Sequence, residues 1–233
     1  MKLQAADKGK TSANKRGLAI EEAYLKIKNM IYLNRLAPGQ KIVYGDLGQR
    51  LNISITPVIQ ALNRLEASGF VTYVPNKGYF VGEITEEEAL ELYAAREALE
   101  LYLIPNIIKN IDNRTIEQIR ASFKKHSDQA QNQPSRKIIL VDAQFHLKLA
   151  EFGGNEVIER LLREVFEKLY LKYRPEYLEA PRVKEVAAEH RAILDALRWR
   201  DAQKAAVAIR THIWQSKERV TKQLRLRQEG GLL

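Results

Sequence analysis

The sequence predicts a mainly α-helical chain in two parts: three helices with a β-ribbon, then an antiparallel bundle of six helices. Three observations predict it. Residues 18–81 pass from helical hydrophobic spacing to two short β-prone runs, and from about residue 86 the spacing is helical almost throughout. The charge is uneven as well: residues 1–82 hold 12 Lys/Arg against 5 Asp/Glu, whereas the other 151 residues hold 26 against 24. A net charge of +7 on the first part and only +2 on the second sets them apart.

Residues 1–17 are polar, charged and without hydrophobic periodicity, and are expected to form a flexible arm. Leu18 to Leu36 is amphipathic, with Ile20, Tyr24, Ile27, Ile31 and Leu33 along one stripe. Ala37-Pro38-Gly39-Gln40 breaks this helix, and Lys41-Ile42-Val43 suits a short edge strand. Leu47 and Leu51 then share one face of a two-turn helix. The turn Asn52-Ile53-Ser54 follows, with the Ser54 hydroxyl expected to cap the next helix. Val58, Leu62 and Leu65 repeat at helical spacing until Ser68-Gly69 stops that helix. Val71–Val74 and Tyr79–Val81 are β-prone runs joined by Pro75-Asn76-Lys77-Gly78, a turn-rich loop. Helix, turn, helix and ribbon make a winged helix-turn-helix over 18–82, a device that reads double-stranded DNA, and its basic excess suits phosphates. The alternative is a helical hairpin with an incidental ribbon.

Gly82 to Thr85 reads as a hinge, and Thr85 with Glu88 forms the S/T-x-x-E capping box of a new helix. Helices are expected at about 86–109, 113–131, 135–152, 155–174, 181–199 and 202–224. Asn110–Asn113, Gln133-Pro134, Gly153-Gly154, Pro175 to Pro181 and Trp199–Asp201 separate them. Short connections imply an antiparallel bundle over 83–224, and residues 225–233 read as a frayed tail.

Several classes are disfavoured. With no cysteine, disulfides, thiolate metal ligands and a cysteine nucleophile are absent. No apolar run approaches the roughly 18 residues of a membrane span, and the basic start lacks an apolar signal core. A cytoplasmic, nucleoid-associated protein without a membrane partner is the expectation. No glycine-rich phosphate loop or G-x-S-x-G elbow is present, and an enzyme is not expected.

Chemistry can gather at three of the four histidines. Asp142 and His146 lie at i and i+4 of one helix, and His190 and His212 each lie on a later helix. In an antiparallel bundle all four can converge, and a carboxylate with three imidazoles suits Zn²⁺, Ni²⁺ or Mn²⁺. The alternative is a set of histidines satisfied by hydrogen bonds. His126 is expected at the surface. Arg96 either faces a cavity, offering a fork to a carboxylate, or is an exposed arginine paired with Glu100 one turn on.

The first part resembles the GntR family of bacterial transcription regulators, which commonly read L-x-x-x-L-x-[IV]-S-x-T-P-V-x-x-A-L-x-x-L-x-x-x-G-[LF]-[IV] with a glycine near the wing tip. Leu47, Leu51, Ile53, Ser54, Thr56, Pro57, Val58, Ala61, Leu62, Leu65, Gly69, Phe70, Val71 and Gly78 match it. Leu36, Pro38, Gly39 and Ile42 match the family's L-x-P-G-x-x-[IL] transition. The second part resembles the FCD ligand-binding domain of the FadR branch, through D-x-x-F-H-x-x-[LI] at Asp142, Phe145, His146 and Leu149 and E-H-x-x-[IL]-x-x-A-[LI] at Glu189, His190, Ile193, Ala196 and Leu197. His212 falls in the last helix, and six helices look like the VanR-type subgroup.

The resemblance implies a homodimer on a roughly palindromic operator. It implies a divalent metal ion on Asp142, His146, His190 and His212, and a small organic acid as effector between that ion and Arg96. Three departures stand out: Gly45, Ile55 and Ile59 lie where many relatives carry arginines. A different operator is therefore expected, read through Ser54, Thr56, Gln60 and Asn63, with Arg64, Lys77 and the Gly78 amide on phosphates or in the wing. Two alternatives are a metal-dependent enzyme using the Asp/His₃ site, and a sensor in which the ion is itself the signal.

Overall fold

Apolar side chains three and four residues apart build the first unit, and a three-stranded sheet closes it. The computed structural model describes residues 4–130, 137–172 and 183–230, with side chains over 17–124, 139–172 and 184–226. The chain forms two compact units, Met1–Glu83 and Ile84–Leu233.

In the first unit, α1 (Gln4–Tyr32) buries Ala23, Ile27, Met30 and Ile31. It starts well before residue 18. Residues 4–17, expected as an arm, carry helical backbone continuous with the amphipathic stretch, and they hold no proline to interrupt it. Leu33, expected on the buried stripe, is 49% exposed. The helix has already ended there, and Asn34 turns the chain in the left-handed region at φ 56°. Leu36 regains the core instead.

β1 (Lys41–Ile42), α2 (Tyr44–Leu51), α3 (Ile55–Ala67), β2 (Val71–Val74) and β3 (Gly78–Val81) follow. The sheet is antiparallel in the order β1-β3-β2, with Ile42 opposite Tyr79 and Tyr73 opposite Tyr79. The expected edge strand therefore pairs directly with the ribbon. The α2–α3 turn demands Gly48, because a Cβ there would sit 2.9 Å from the Ile53 carbonyl oxygen. Gly69 closes α3, with its own N–H on Glu66 and the Phe70 N–H reaching the Leu65 carbonyl. Ser54 is the N-cap residue of α3, but its hydroxyl makes no cap hydrogen bond. Pro57 occupies the third helical position and has no N–H to give, so one of the two usual donors to such a cap is missing.

The second unit contains α4 (Glu86–Asn110), α5 (Asn113–Ala130), α6 (Lys137–Glu151), α7 (Glu156–Lys172), α8 (Val183–Arg198) and α9 (Ala202–Gly230). α4 packs along α9 and α7, α8 along α9 and α5, and α6 against α5 and α7. The starts of α4, α5, α7 and α9 are capped by side chains: Thr85, Asp112, Asn155 and Asp201 each accept a backbone N–H three residues on. The Thr85 half of the capping box is thus made. Its Glu88 carboxylate instead meets Lys172, at the far end of α7. Leu103, Ile116, Leu162, Ile193, Leu194 and Leu197 are fully buried at the centre. The expected breaks at Gln133-Pro134 and Pro175 to Pro181 lie outside the described residues, as does the His126 side chain. The tail expected to fray from 225 is helical backbone to Gly230, and 231–233 lie outside the described residues. Among the described residues no helix is long and apolar enough to cross a membrane.

Candidate functional site

Three helices of the bundle deliver four donors to one point. α6 supplies Asp142 and His146 from successive turns, α8 supplies His190, and α9 supplies His212. One donor atom from each lies within 4.8 Å of every other. Asp142 Oδ1 is the focus: His190 Nε2 lies 3.0 Å away, His212 Nε2 3.1 Å and His146 Nε2 3.8 Å. The three imidazoles are buried, none more than 1% exposed.

A cluster of buried histidines satisfied by hydrogen bonds would show each ring nitrogen aligned with a partner. The structure shows otherwise. All three Nε2 atoms are buried without a hydrogen bond, although they converge on one carboxylate oxygen. The opposite nitrogens of two rings are engaged: Glu100 Oε2 lies 2.6 Å from His146 Nδ1, and Glu189 Oε2 lies 2.8 Å from His212 Nδ1. An ionised carboxylate only accepts, so Nδ1 carries the proton in each pair, which leaves Nε2 as the nitrogen that can ligate once it holds no proton of its own. That is the arrangement of metal-ligating histidines oriented by outer carboxylates. An ion with bonds of about 2.1 Å holds its donors about 3–4 Å apart, so the four residues present fit a divalent cation with little rearrangement.

His190 is held differently. Its ring stacks on Phe145 at 3.9 Å and 8°, and Phe123 meets it edge-on at 4.4 Å. Its Nδ1 makes no hydrogen bond.

Electrostatics agree with this geometry at Glu100, Asp142 and His190, whereas at His212 an ion would have to displace a proton. Burial raises the Glu100 carboxyl, but His146 and Arg96 outweigh it and hold the group at about 2. Burial opposes the Asp142 charge too, yet Arg96 and His212 keep it well below the usual carboxylate range. Burial pushes His190 down to about 3, so that ring is neutral, as ligation requires, and burial lowers His146 against the pull of Glu100. For His212, burial is outweighed by Asp142 and Glu189, and its affinity for a proton rises.

Arg96 combines both expected readings in part. It pairs with Glu100 one turn on, at 2.6 Å, but it is buried rather than exposed. Its Nη1 lies 3.3 Å from Asp142 Oδ2, its guanidinium sits 4.6 Å from the Phe166 ring centre, and Nη2 has no partner. With Nε and Nη1 engaged, no two-pronged fork remains in this arrangement. Beside His146 and Glu100, a cavity of about 10 Å³ is bounded by Leu103, Leu149 and Leu197, room for about one water.

Glu100 and Glu189 are the residues of this cluster to which sequence reasoning gave no part beside the histidines. Their signals were available, Glu100 as the i+4 partner of Arg96 and Glu189 as the neighbour of His190. The pairings themselves span 46 and 23 residues and need the folded bundle.

In the first unit, α3 exposes Thr56 and Asn63 opposite its buried side, half-buries Gln60, and leaves Ser54 exposed at its start. The Tyr79 hydroxyl of β3 hydrogen-bonds Asn63 Oδ1. Arg64 is held within the unit, 2.6 Å from Glu21 with its guanidinium 4.5 Å from the Tyr24 ring centre. Lys77 is exposed at the wing tip, beside Asn76 at φ 61° and Gly78 at φ 94°.

Comparison with known proteins adds two family matches. Residues 19–81 match the model described as bacterial regulatory proteins, gntR family, and residues 91–215 match the FCD domain. The Nta operon transcriptional regulator of Aminobacter aminovorans is 28% identical over 132 residues, 57% of this chain and 62% of that protein. The HTH-type transcriptional regulator YdhC of Bacillus subtilis is 22% identical over 190 residues, 81% of this chain and 85% of that one. Among solved structures, Escherichia coli McbR/YncC superposes with a TM-score of 0.70 at 20% identity, covering 88% of this chain and 98% of its own.

Proposed function

The chain belongs to the gntR family of bacterial regulatory proteins with an FCD domain, a transcription regulator with a DNA-binding winged helix, and we propose that it is a dimer controlled through a metal-assisted site in its bundle. The observation that carries this reading is the set of three inward, unbonded Nε2 atoms around Asp142, two of them backed by Glu100 and Glu189. Such a donor set suits Zn²⁺, Ni²⁺ or Mn²⁺. When bound, a divalent cation here attracts and neutralises a carboxylate. The chain's own residues do the rest. Glu100 and Glu189 fix two imidazoles, Phe145 and Phe123 fix the third, and Arg96 braces Glu100 and Asp142 and keeps Nη2 without a partner.

The effector in this reading is a small organic acid whose carboxylate meets the ion and the Nη2 edge of Arg96. Regulation follows if it binds one arrangement of the dimer better than another and so shifts affinity for a two-half-site operator. Ser54, Thr56, Gln60 and Asn63 would face bases, and Lys77 with the Gly78 amide would face phosphates. Arg64 braces α3 on α1 through Glu21 and Tyr24.

The test is calorimetric titration of metal-loaded and chelator-stripped protein with a panel of di- and tricarboxylates, followed by operator binding with any acid that binds. Metal-dependent binding that changes operator affinity supports the proposal. Arg96, already paired with Glu100 and Asp142, favours a second reading, in which the ion alone is the signal. Operator affinity that follows metal concentration, with no acid binding, would establish that reading instead. Turnover of any acid would point to a metal-dependent enzyme.

A further inference from the structure

We propose that Ile55 and Ile59 read the C5-methyl groups of thymine in the major groove, so that T·A pairs rather than guanines specify the centre of each half-site. The inference rests on the DNA-binding reading above and adds what the recognition helix reads.

The buried residues of α3 are Pro57, Val58, Ala61, Leu62 and Leu65. At 100° per residue, Thr56, Ile59, Gln60 and Asn63 lie on the opposite side. Ile55, at the first position of the helix, flanks that side and is 49% exposed, and Ile59 is half-buried. The N-terminal half of a recognition helix is the part that reaches base edges. Off its buried side that half carries two branched apolar side chains, Ile55 and Ile59, and no charge. The single arginine of α3, Arg64, is held by Glu21 and Tyr24. Gly45, at the start of α2, offers no side chain, although a Cβ there would meet nothing within 4 Å.

Arginine forks recognise guanine, whereas apolar side chains pack against the thymine methyl, a group no other standard base carries in the major groove. Gln60, on the same side, has the donor and acceptor that match the N7 and N6 edge of adenine. The basic excess of residues 1–82 then supplies affinity without sequence preference.

The experiment enriches 20-bp duplexes from a random pool with the full-length protein, then resynthesises the enriched duplex with dU for dT, which removes only the methyl. Affinity is read by fluorescence anisotropy at fixed salt. Each contacted dT→dU change should weaken binding about fourfold, the effect of losing one buried methyl-sized group. Ile59→Ala should weaken the parent duplex similarly and remove the dU effect at its position, with Ile55→Ala acting at the neighbouring one. An enriched duplex that binds equally well with dU, or no sequence enrichment despite salt-sensitive binding, overturns the inference but leaves DNA binding intact. Absence of binding to any duplex at low salt overturns the DNA-binding reading as well.

Discussion

Replacing Glu189 by glutamine isolates the outer support of one imidazole. Glu189 Oε2 lies 2.8 Å from His212 Nδ1, and the side chain is only 11% exposed. Glutamine keeps the volume but removes the charge, so the Nδ1–H loses its ionised acceptor and the tautomer that turns Nε2 inward is less firmly set. Outer partners of this kind change metal affinity by about 10–100-fold, or about 1.4–2.7 kcal/mol. Because an ion bound to the native state stabilises it by mass action, the same change should appear as a loss of metal-induced thermal stabilisation. At about 2–4 °C per kcal/mol for a chain of this size, the metal-dependent rise in Tm should shrink by about 3–10 °C. Chelator competition gives the affinity, and differential scanning calorimetry with and without Zn²⁺ gives the Tm. An affinity equal to wild type, with the metal-induced rise in Tm intact, would refute the idea that Glu189 orients His212.

Glu100→Gln should be more damaging. It removes the negative charge that His146 and the buried Arg96 share, so about 3 kcal/mol of stability should go even in chelator-treated protein, measured by urea unfolding. An effect seen only with metal present would contradict that. Gly48→Ala places a methyl 2.9 Å from a backbone oxygen that cannot move aside, and should destabilise the first unit by about 1–3 kcal/mol despite alanine's helix preference. Equal or greater stability by circular dichroism melting would show that the α2–α3 turn adapts. Thr85→Ala removes the hydrogen bond to the Glu88 N–H and should cost about 1 kcal/mol, with Thr85→Ser restoring it. Equal stability in all three proteins would mean that the Lys172–Glu88 pair anchors the start of α4 instead.

The architecture was largely legible because it is written in short-range spacing. Leu47 and Leu51 define α2, Val58, Leu62 and Leu65 define the inner side of α3, and Asp142 with His146 place two donors on one side of α6. What escaped depends on a neighbouring detail or on distance along the chain. Pro57 denies Ser54 one of its donors, and Asn34 ends the first stripe before Leu33 can join it. Arg64, expected at phosphates or in the wing, also pairs with Glu21 across 43 residues, while Tyr79 reaches Asn63 across 16. Arg96 finds Asp142 across 46, which removes the fork that its position suggested. Spacing identifies the helix side on which a residue stands. It does not identify which helix will stand opposite.

The central claim is that Asp142, His146, His190 and His212 hold a divalent ion. It is tested most directly by the metal content of protein purified without chelator, measured by inductively coupled plasma mass spectrometry beside Asp142→Ala. About one ion per chain in the wild type and none in a folded Asp142→Ala protein is the predicted result. A well-folded wild type that carries no ion, and takes none up from added Zn²⁺, Ni²⁺ or Mn²⁺, would contradict it and leave the four side chains as a polar cluster in the bundle.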